Sequence, residues 1–266
     1  MPEGDTIHRA ARTLDLALAG HTVSAFESPL PQIASADLEG VSITKVEARG
    51  KNLLVLFGDG RVLHTHMRMS GSWHIYRPGE RWQRPRRQAR IVLTTADFVA
   101  VCFDAPVVRL LRAGAAGRDP KLGALGPDVL ADDFDRADAR RRISALGAVE
   151  IGEALLRQSA VAGIGNVYKS ETLFLCGVDP FAPAGSLSER DVDHLLDTAR
   201  RLMAANLRGS ARTTRPSLSR RTRERTWVYG RRGRPCRRCG TEIRMRRQGT
   251  DMRSTYWCPS CQKAEG

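Results

Sequence analysis

The chain has 266 residues, 43 Lys and Arg against 29 Asp and Glu, and a formal net charge of +14. Its 41% apolar residues can fill a core, and charges interspersed among apolar runs argue against an intrinsically disordered protein. No run approaches the roughly 20 apolar residues of a membrane span. Since the first residues also lack the apolar centre of a signal peptide, we expect a cytoplasmic protein with no membrane partner.

The N-terminal part predicts one helix followed by short strands. Apolar residues recur at helical spacing from Ile7 to Leu18, with Asp5 or Thr6 as the cap and Gly20 as the end. The period then changes to that of strands, over residues 41–46, 52–57, 61–66, 90–95 and 98–103. Several strands without intervening helices favour an antiparallel sandwich or barrel.

Helical patterns dominate beyond a glycine- and proline-rich stretch at residues 114–127. They cover residues 134–146, 151–157, 167–176 and 188–207, and the last begins with a Ser188/Asp191 pair spaced like a capping box. We therefore predict an α+β multidomain protein. Its segments are an N-terminal domain at 1–113, a helical domain at 128–207, a basic linker at 208–225 and a C-terminal module at 226–266.

The C-terminal module contains four of the six cysteines, in two CxxC pairs separated by 18 residues. This spacing is typical of a tetrahedral zinc site, with one hairpin between two pairs of thiolates. Four cysteine ligands leave no open coordination position, so the metal should be structural. The predicted ligands are Cys236, Cys239, Cys258 and Cys261. The other two cysteines, Cys102 and Cys176, lie in apolar runs and should be buried side chains without chemistry.

Most of the positive charge is concentrated in one segment. Residues 208–253 contain 16 arginines and three acidic residues, a net charge of +13. Clustered charge of one sign is typical of proteins that bind a polyanion such as a nucleic acid. The alternative is a solvated basic face that only maintains solubility.

The first residues offer a different kind of chemistry. If Met1 is removed, Pro2 becomes a secondary amine at the chain start, and a free α-amino group has a pKa near ~8. Such an amine can attack a carbonyl-type carbon to form a Schiff base, and the neighbouring Glu3 can transfer protons.

Four motifs occur in one order along the chain: the Pro2-Glu3-Gly4 start, the run at 49–54 with Lys51, the glycine-rich run at 163–168 followed by Glu171, and the four-cysteine hairpin. Together they resemble the formamidopyrimidine-DNA glycosylase and endonuclease VIII family, and the start is more similar to the endonuclease VIII branch. The resemblance implies a β-sandwich with an amino-terminal helix, a helix-two-turn-helix domain and a zinc β-hairpin. It also implies damaged DNA as the partner, one structural Zn²⁺, and a bacterial monomer.

The resemblance assigns roles to individual residues. Pro2 matches the nucleophile that attacks C1′ of the damaged nucleotide, and Glu3 matches the acid/base group that assists ring opening. Lys51 matches a phosphate-contacting lysine assigned to β-elimination, and Arg253 matches a phosphate clamp linked to δ-elimination. Asn166 matches the DNA-binding asparagine of the helix-two-turn-helix element.

The segment after the strand at 61–66 matches the loop that fills the gap left by an extruded base. Met69 is the expected apolar wedge, and Arg68 is expected to contact the unpaired opposite base. The chain departs from the family at Thr6, where a second acid is usual, and lacks the Arg-x-Phe motif of the formamidopyrimidine branch around Arg109. The loss of that motif lowers the expectation of 8-oxoguanine as the main substrate.

Three hypotheses follow. The first is a bifunctional glycosylase and abasic-site lyase that removes oxidised bases, mainly pyrimidines, and cuts the strand by β,δ-elimination. The second is a non-catalytic or weakly active paralogue that binds damaged DNA. The third keeps the enzyme but changes the substrate to ring-opened purines or to lesions in single strands.

Overall fold

The computed structural model describes residues 2–209, 211–215 and 225–263. The chain forms two compact units, Met1–Ala124 and Leu125–Gly266. The second unit contains both the predicted helical domain and the predicted zinc module. Half of the predicted basic linker, residues 216–224, lies outside the described residues.

The first unit is a β-sandwich with one long helix. Helix α1 spans Gly4–Leu18, and eight strands follow, succeeded by the short helix α2 at Pro120–Gly123. The strands are β1 Ala25–Glu27, β2 Ile43–Arg49, β3 Asn52–Phe57, β4 Val62–His66, β5 Ser72–Tyr76, β6 Ala89–Thr94, β7 Val99–Phe103 and β8 Val107–Leu111. Two antiparallel four-stranded sheets result, with strand orders β1-β6-β7-β5 and β2-β3-β4-β8. The predicted sandwich is confirmed.

The sandwich forms because alternate residues of its strands face the space between the two sheets. Leu53 and Val55 of one sheet join Leu93 and Cys102 of the other in a single buried cluster, as period-2 patterning requires. The apolar face of α1, represented by Leu14, is buried in the same cluster. The N-terminal residues are therefore attached to the main core of this unit.

The predicted start of α1 is wrong by two or three residues. The N-cap is Glu3, without a side-chain capping bond, and neither Asp5 nor Thr6 caps the helix. Asp5 is instead buried within the first turn, where its Oδ1 accepts a 3.3 Å bond from the Thr6 hydroxyl. The helix ends as predicted, close to Gly20, which adopts the left-handed φ of +83°.

The second unit contains helices and one hairpin. The helices are α3 Arg136–Ser144, α4 Ile151–Ala154, α5 Asn166–Cys176 and α6 Glu189–Ala204, and the hairpin strands are β9 Arg244–Gln248 and β10 Arg253–Trp257. Ser188 caps α6 as predicted, because its Oγ accepts the Asp191 backbone N–H at 3.2 Å. No helix in the described ranges has the length and apolar character needed to cross a membrane.

Candidate functional site

The start of α1 places Glu3 in the protein interior. Its side chain is fully buried and its backbone carbonyl accepts bonds from Thr6 N at 2.9 Å and Ile7 N at 3.1 Å. The preceding Pro2 is half-buried. A carboxyl group at a helix N-terminus is favoured by the helix dipole. Pro2 therefore directly precedes a buried carboxyl group at the N-terminus of α1.

Lys51 lies at the tip of the β2–β3 hairpin. Arg49 pairs with Asn52, so the loop contains only Gly50 and Lys51. Gly50 adopts φ +60°, which a type II′ hairpin needs at its first loop position. Asn52 Nδ2 closes the turn with a 3.0 Å bond to the Arg49 carbonyl. The Lys51 ammonium is thereby carried on a short, well-defined turn.

His66 connects the Lys51 turn with the following loop. It ends β4 opposite Asn52, and its Nδ1 accepts the Arg68 backbone N–H at 3.1 Å. Burial lowers the pKa of His66, and the nearby positive charges of Lys51 and Arg68 lower it further. Two predicted site residues thus lie around one neutral imidazole. No sequence motif marks His66 as part of this site, because its position depends on the pairing of β3 with β4.

The loop after β4, residues 67–71, exposes an apolar tip from a fixed base. Met67 is 2% exposed, whereas Met69 is 67% exposed. Gly71 donates to the Met67 carbonyl at 2.8 Å, and a Cβ at Gly71 would lie 2.8 Å from Met67 Cα. The Ser70 hydroxyl adds a 3.1 Å bond to the Asp104 carbonyl. The loop therefore carries Met69 at an exposed position between two fixed ends.

The segment where Arg-x-Phe was missing forms strand β8. Arg109 lies opposite His64 and pairs with Asp119 at 2.5 Å, and Asp119 also caps α2. Burial, followed by the charge of Arg109, lowers the pKa of His64 to about 4. His64 Nε2 is 2.9 Å from Asn52 Oδ1. These contacts give Arg109 and His64 a structural role in the sheet.

In the second unit, Asn166 is the first residue of α5. It is buried, and its Nδ2 donates a 2.7 Å bond to the Ser254 carbonyl. The preceding loop depends on Gly163, whose φ is +100°. The N-terminus of a helix favours anions through its dipole.

Arg253 begins β10 and immediately precedes Ser254, the residue that Asn166 contacts. The structure thus brings Asn166, on α5, to the backbone directly beside Arg253, the other predicted site residue of this unit. Arg253 also lines a cavity of about 200 Å³ together with Arg157, Lys169 and Gly249. The carboxylates of Glu153, which pairs with Arg157 at 2.8 Å, and of Asp251 line the same cavity, so it combines charges of both signs.

Glu171 organises the chain on both sides of residues 216–224. Its carboxylate accepts backbone N–H bonds from Trp227 at 2.7 Å and from Val228 and Tyr229 at 2.8 Å, and also the Thr214 hydroxyl bond. Burial raises the pKa of Glu171, and these hydrogen bonds oppose the rise. The sequence motif included Glu171 without indicating this role, because its partners are more than 40 residues away.

The four predicted zinc ligands converge at one point. Their Sγ atoms all lie within 4.8 Å of one another, with Cys239 at 3.5 Å from both Cys258 and Cys261 and Cys236 at 3.9 Å from Cys261. Zn–S bonds of about 2.3 Å in a tetrahedron separate sulfurs by about 3.8 Å, so the cluster fits one Zn²⁺. In the described part of the chain, no other group of three such side chains could hold a metal.

The zinc hairpin is joined to the helical part by a small apolar cluster. Phe174, Val228 and Ile243 are fully buried there, and the Tyr229 and Tyr256 rings are 5.1 Å apart. The predicted burial is confirmed for Cys102, which is fully buried, with a pKa raised by that burial. Cys176 is half-buried.

Three family models match successive parts of this chain. Residues 1–106 match the formamidopyrimidine-DNA glycosylase N-terminal domain, and residues 125–217 match the formamidopyrimidine-DNA glycosylase H2TH domain. Residues 233–264 match the zinc finger found in FPG and IleRS.

Curated relatives match along nearly the whole chain. A probable endonuclease 8 2 of Streptomyces coelicolor is 43% identical, over 98% of this chain and 94% of its own length. The DNA-(apurinic or apyrimidinic site) lyase Nei2 of Mycolicibacterium smegmatis is 39% identical, over 99% of this chain and 100% of its own.

Solved structures show the same fold. A mutant Fpg of Lactococcus lactis, in complex with DNA containing Fapy-dG, superposes with a TM-score of 0.80 at 26% identity, covering 99% of this chain and 100% of its own. The same organism's glycosylase, non-covalently bound to DNA with an AP site, gives a TM-score of 0.80 at 24% identity and the same coverage.

Proposed function

This chain belongs to the formamidopyrimidine-DNA glycosylase and endonuclease VIII family, and from that premise we propose that it is a bifunctional DNA glycosylase and abasic-site lyase of base-excision repair. The observation that carries the proposal is Pro2 beside a fully buried Glu3 at the start of an anchored helix. A binding protein has no need for a nucleophilic amine next to a carboxyl group.

In the proposed reaction, the Pro2 nitrogen attacks C1′ of the damaged nucleotide. The new N–C1′ bond replaces the bond to the base, which leaves with the glycosidic electron pair and takes up a proton. Opening of the sugar then moves the ring electron pair to O4′, to which Glu3 delivers a proton, leaving an iminium at C1′. Loss of a C2′ proton expels the 3′ phosphate, and a second elimination expels the 5′ phosphate. Water releases the enzyme by hydrolysing the Schiff base.

Cations at the two phosphates complete the proposed chemistry. Lys51, on its two-residue turn, is assigned to the phosphate that leaves by β-elimination. Arg253 is assigned to the phosphate that leaves by δ-elimination, and Asn166 to a backbone phosphate contact. Fixed positive groups stabilise the charge that develops on each leaving oxygen. Zn²⁺ on the four cysteines holds the hairpin that carries Arg253 and supplies structure rather than chemistry.

The exposed loop supports the extrusion of a base. Met69 is proposed to enter the stack in place of the damaged base, and Arg68 to contact the unpaired opposite base. The fixed ends of the loop at Met67 and Gly71 favour this role, because a wedge must resist being pushed back.

We propose oxidised pyrimidines as the main substrates. Relatives named endonuclease 8 2 are 39–43% identical to this chain, whereas a formamidopyrimidine-DNA glycosylase of Heliobacterium modesticaldum and an endonuclease 8 1 of Mycobacterium tuberculosis are each 33% identical. The pairing of Arg109, in β8, with Asp119, the cap of α2, is consistent with this choice, because Arg109 is occupied by contacts within the protein. The proposal includes action as a monomer in the bacterial cytoplasm.

The test is borohydride trapping on oligonucleotides that carry one abasic site or one oxidised pyrimidine. Wild type should give a covalent protein–DNA band, and Pro2→Gly, which keeps only a primary amine, should give much less. Intact mass must first establish that Met1 is absent. No band on any lesion from zinc-loaded protein lacking Met1 would support the non-catalytic DNA-binding hypothesis instead.

A further inference from the structure

Lys169 is a fully buried lysine within the helix that contacts the zinc hairpin. Its Nζ donates a 2.7 Å bond to the Thr255 hydroxyl and lies 3.4 Å from the Ser254 carbonyl. Burying an ammonium group is costly unless it is well compensated. A lysine in this position therefore calls for a role that an apolar residue could not fill.

Two residues of α5 contact the same backbone group. Asn166 and Lys169 are three positions apart, so they lie on one face of the helix. Both direct a nitrogen at the Ser254 carbonyl, at 2.7 Å from Asn166 and 3.4 Å from Lys169. That carbonyl belongs to the residue directly after Arg253, so α5 restrains the backbone next to the phosphate clamp.

The restraint continues on the other strand of the hairpin. The Thr255 hydroxyl, which accepts the Lys169 bond, donates at 2.6 Å to Gln248 Oε1. Gln248 is the cross-strand partner of Arg253, and its Nε2 is bonded at 2.8 Å to both Glu150 and the Pro180 carbonyl. A continuous hydrogen-bonded chain thus runs from Lys169 to the residue opposite Arg253.

The direction of the side chains places Lys169 beside Arg253. Alternate residues of a strand point to one face, so Arg253 and Thr255 share the face on which Lys169 lies. Lys169 and Arg253 accordingly line the same cavity of about 200 Å³. Because Lys169 is fully buried, its ammonium group has no exposed surface with which to contact a bound phosphate directly.

We propose that Lys169 is a positioning residue for δ-elimination, the second cleavage of the damaged strand. It holds Arg253 at the phosphate that leaves in that step. The inference rests on the proposed lyase function and deepens it. Beyond the clamp role already proposed for Arg253, it identifies Lys169 as the buried cation that fixes the position of Arg253.

The experiment compares Lys169→Met with wild type on an end-labelled oligonucleotide with one abasic site, under single-turnover conditions. The 3′-aldehyde product of β-elimination and the 3′-phosphate product of δ-elimination are separated on a gel, and trapped complex is measured in parallel. We expect the rate of the δ step to fall about tenfold relative to the β step, because small displacements of a catalytic group are costly.

Two further variants make the result specific. Thr255→Val removes the hydroxyl between Lys169 and Gln248 and should shift the product ratio in the same direction by a smaller factor. Lys45→Met removes one charge from an exposed lysine of β2, which pairs with Glu47, and should leave the ratio at its wild-type value. Zinc content and thermal unfolding are recorded for each variant.

The outcomes separate this inference from the function on which it rests. An unchanged β/δ ratio in Lys169→Met, with wild type trapped normally, would overturn the inference and leave the function standing. A parallel loss of both products with loss of zinc would also overturn it, because Lys169 would then only maintain the fold. Absence of trapping in wild type would defeat the proposed function itself, and the inference with it.

Discussion

The two compact units hold their functional residues by different forces. In the first, Glu3 and Lys51 are attached to elements that pack into a continuous apolar core of helix and sheets. In the second, Arg253 and Asn166 are held by hydrogen bonds, a four-cysteine cluster and a small apolar cluster. Apolar cores tolerate changes in solution conditions well, whereas metal sites and buried polar networks depend on every member. Removing the metal or breaking a buried hydrogen bond should therefore destabilise the second unit more than the first.

The largest expected effect is removal of the metal. Cys258→Ala, or a strong chelator, should disorder the hairpin, because structural zinc contributes folding free energy directly and is lost with its ligands. We expect loss of bound zinc and at least a hundredfold loss in DNA affinity, while the sandwich retains its β-sheet circular dichroism. Joint collapse of both units would show that their stabilities are not separate. Cys102→Ala is the matched control in the first unit.

Glu171→Ala should have the second-largest effect. Three backbone N–H groups and one hydroxyl lose their shared acceptor, which costs about 3 kcal/mol of unfolding free energy in a buried network. Denaturant unfolding of the second unit measures this cost. Exposed Glu189→Ala on α6 serves as the control. Equal midpoints for the two variants would mean that the Glu171 network contributes little stability.

Acidification should weaken the first unit through one buried histidine. His64 has a folded pKa of about 4, below its unfolded value near 6.5. Between these values the unfolded chain binds more protons, so stability is fully present above pH 6.5 and is lost as the pH falls toward 4. The loss should reach about 2 kcal/mol at pH 4.5. Chemical denaturation of wild type and His64→Gln across this pH range measures the loss. If the unfolding free energy of His64→Gln fell as steeply as that of wild type, His64 would not be the cause.

The wedge loop should give the smallest effect on stability and a clear effect on activity. Met69 is 67% exposed, so Met69→Ala should change the unfolding free energy by less than about 0.5 kcal/mol. Excision of an oxidised base from duplex DNA should slow about tenfold, whereas cleavage at an abasic site in single-stranded DNA should change less. Equal slowing on both substrates would contradict a role in base extrusion. Leu16→Ala, also at an exposed apolar position, is the control.

Local patterns in the sequence predicted most of the fold. A series of segments with strand periodicity and no helix between them predicted the sandwich, and β3 occurs at the predicted residues 52–57. The start of α1 was misplaced because Asp5, a good capping residue in isolation, is buried by tertiary packing. The two CxxC pairs predicted the metal site because short spacings fix ligand geometry.

The contacts that arrange the predicted site residues were not visible in the sequence. His66 contacts the Arg68 backbone and lies near Lys51 only because β3 and β4 pair in one register. Lys169 contacts Thr255 across 86 residues, and Glu171 contacts Tyr229 across 58. Each link depends on tertiary packing, for which a single sequence has no local signal.

The most direct test of the central claim is to identify the residue that forms the covalent bond. Protein trapped with borohydride on an abasic oligonucleotide would be digested with protease and nuclease, and the modified peptide sequenced by mass spectrometry. We expect a sugar remnant on the nitrogen of Pro2, at the start of the N-terminal peptide. A remnant on Lys51 or any other lysine, with Pro2 unmodified, would contradict it.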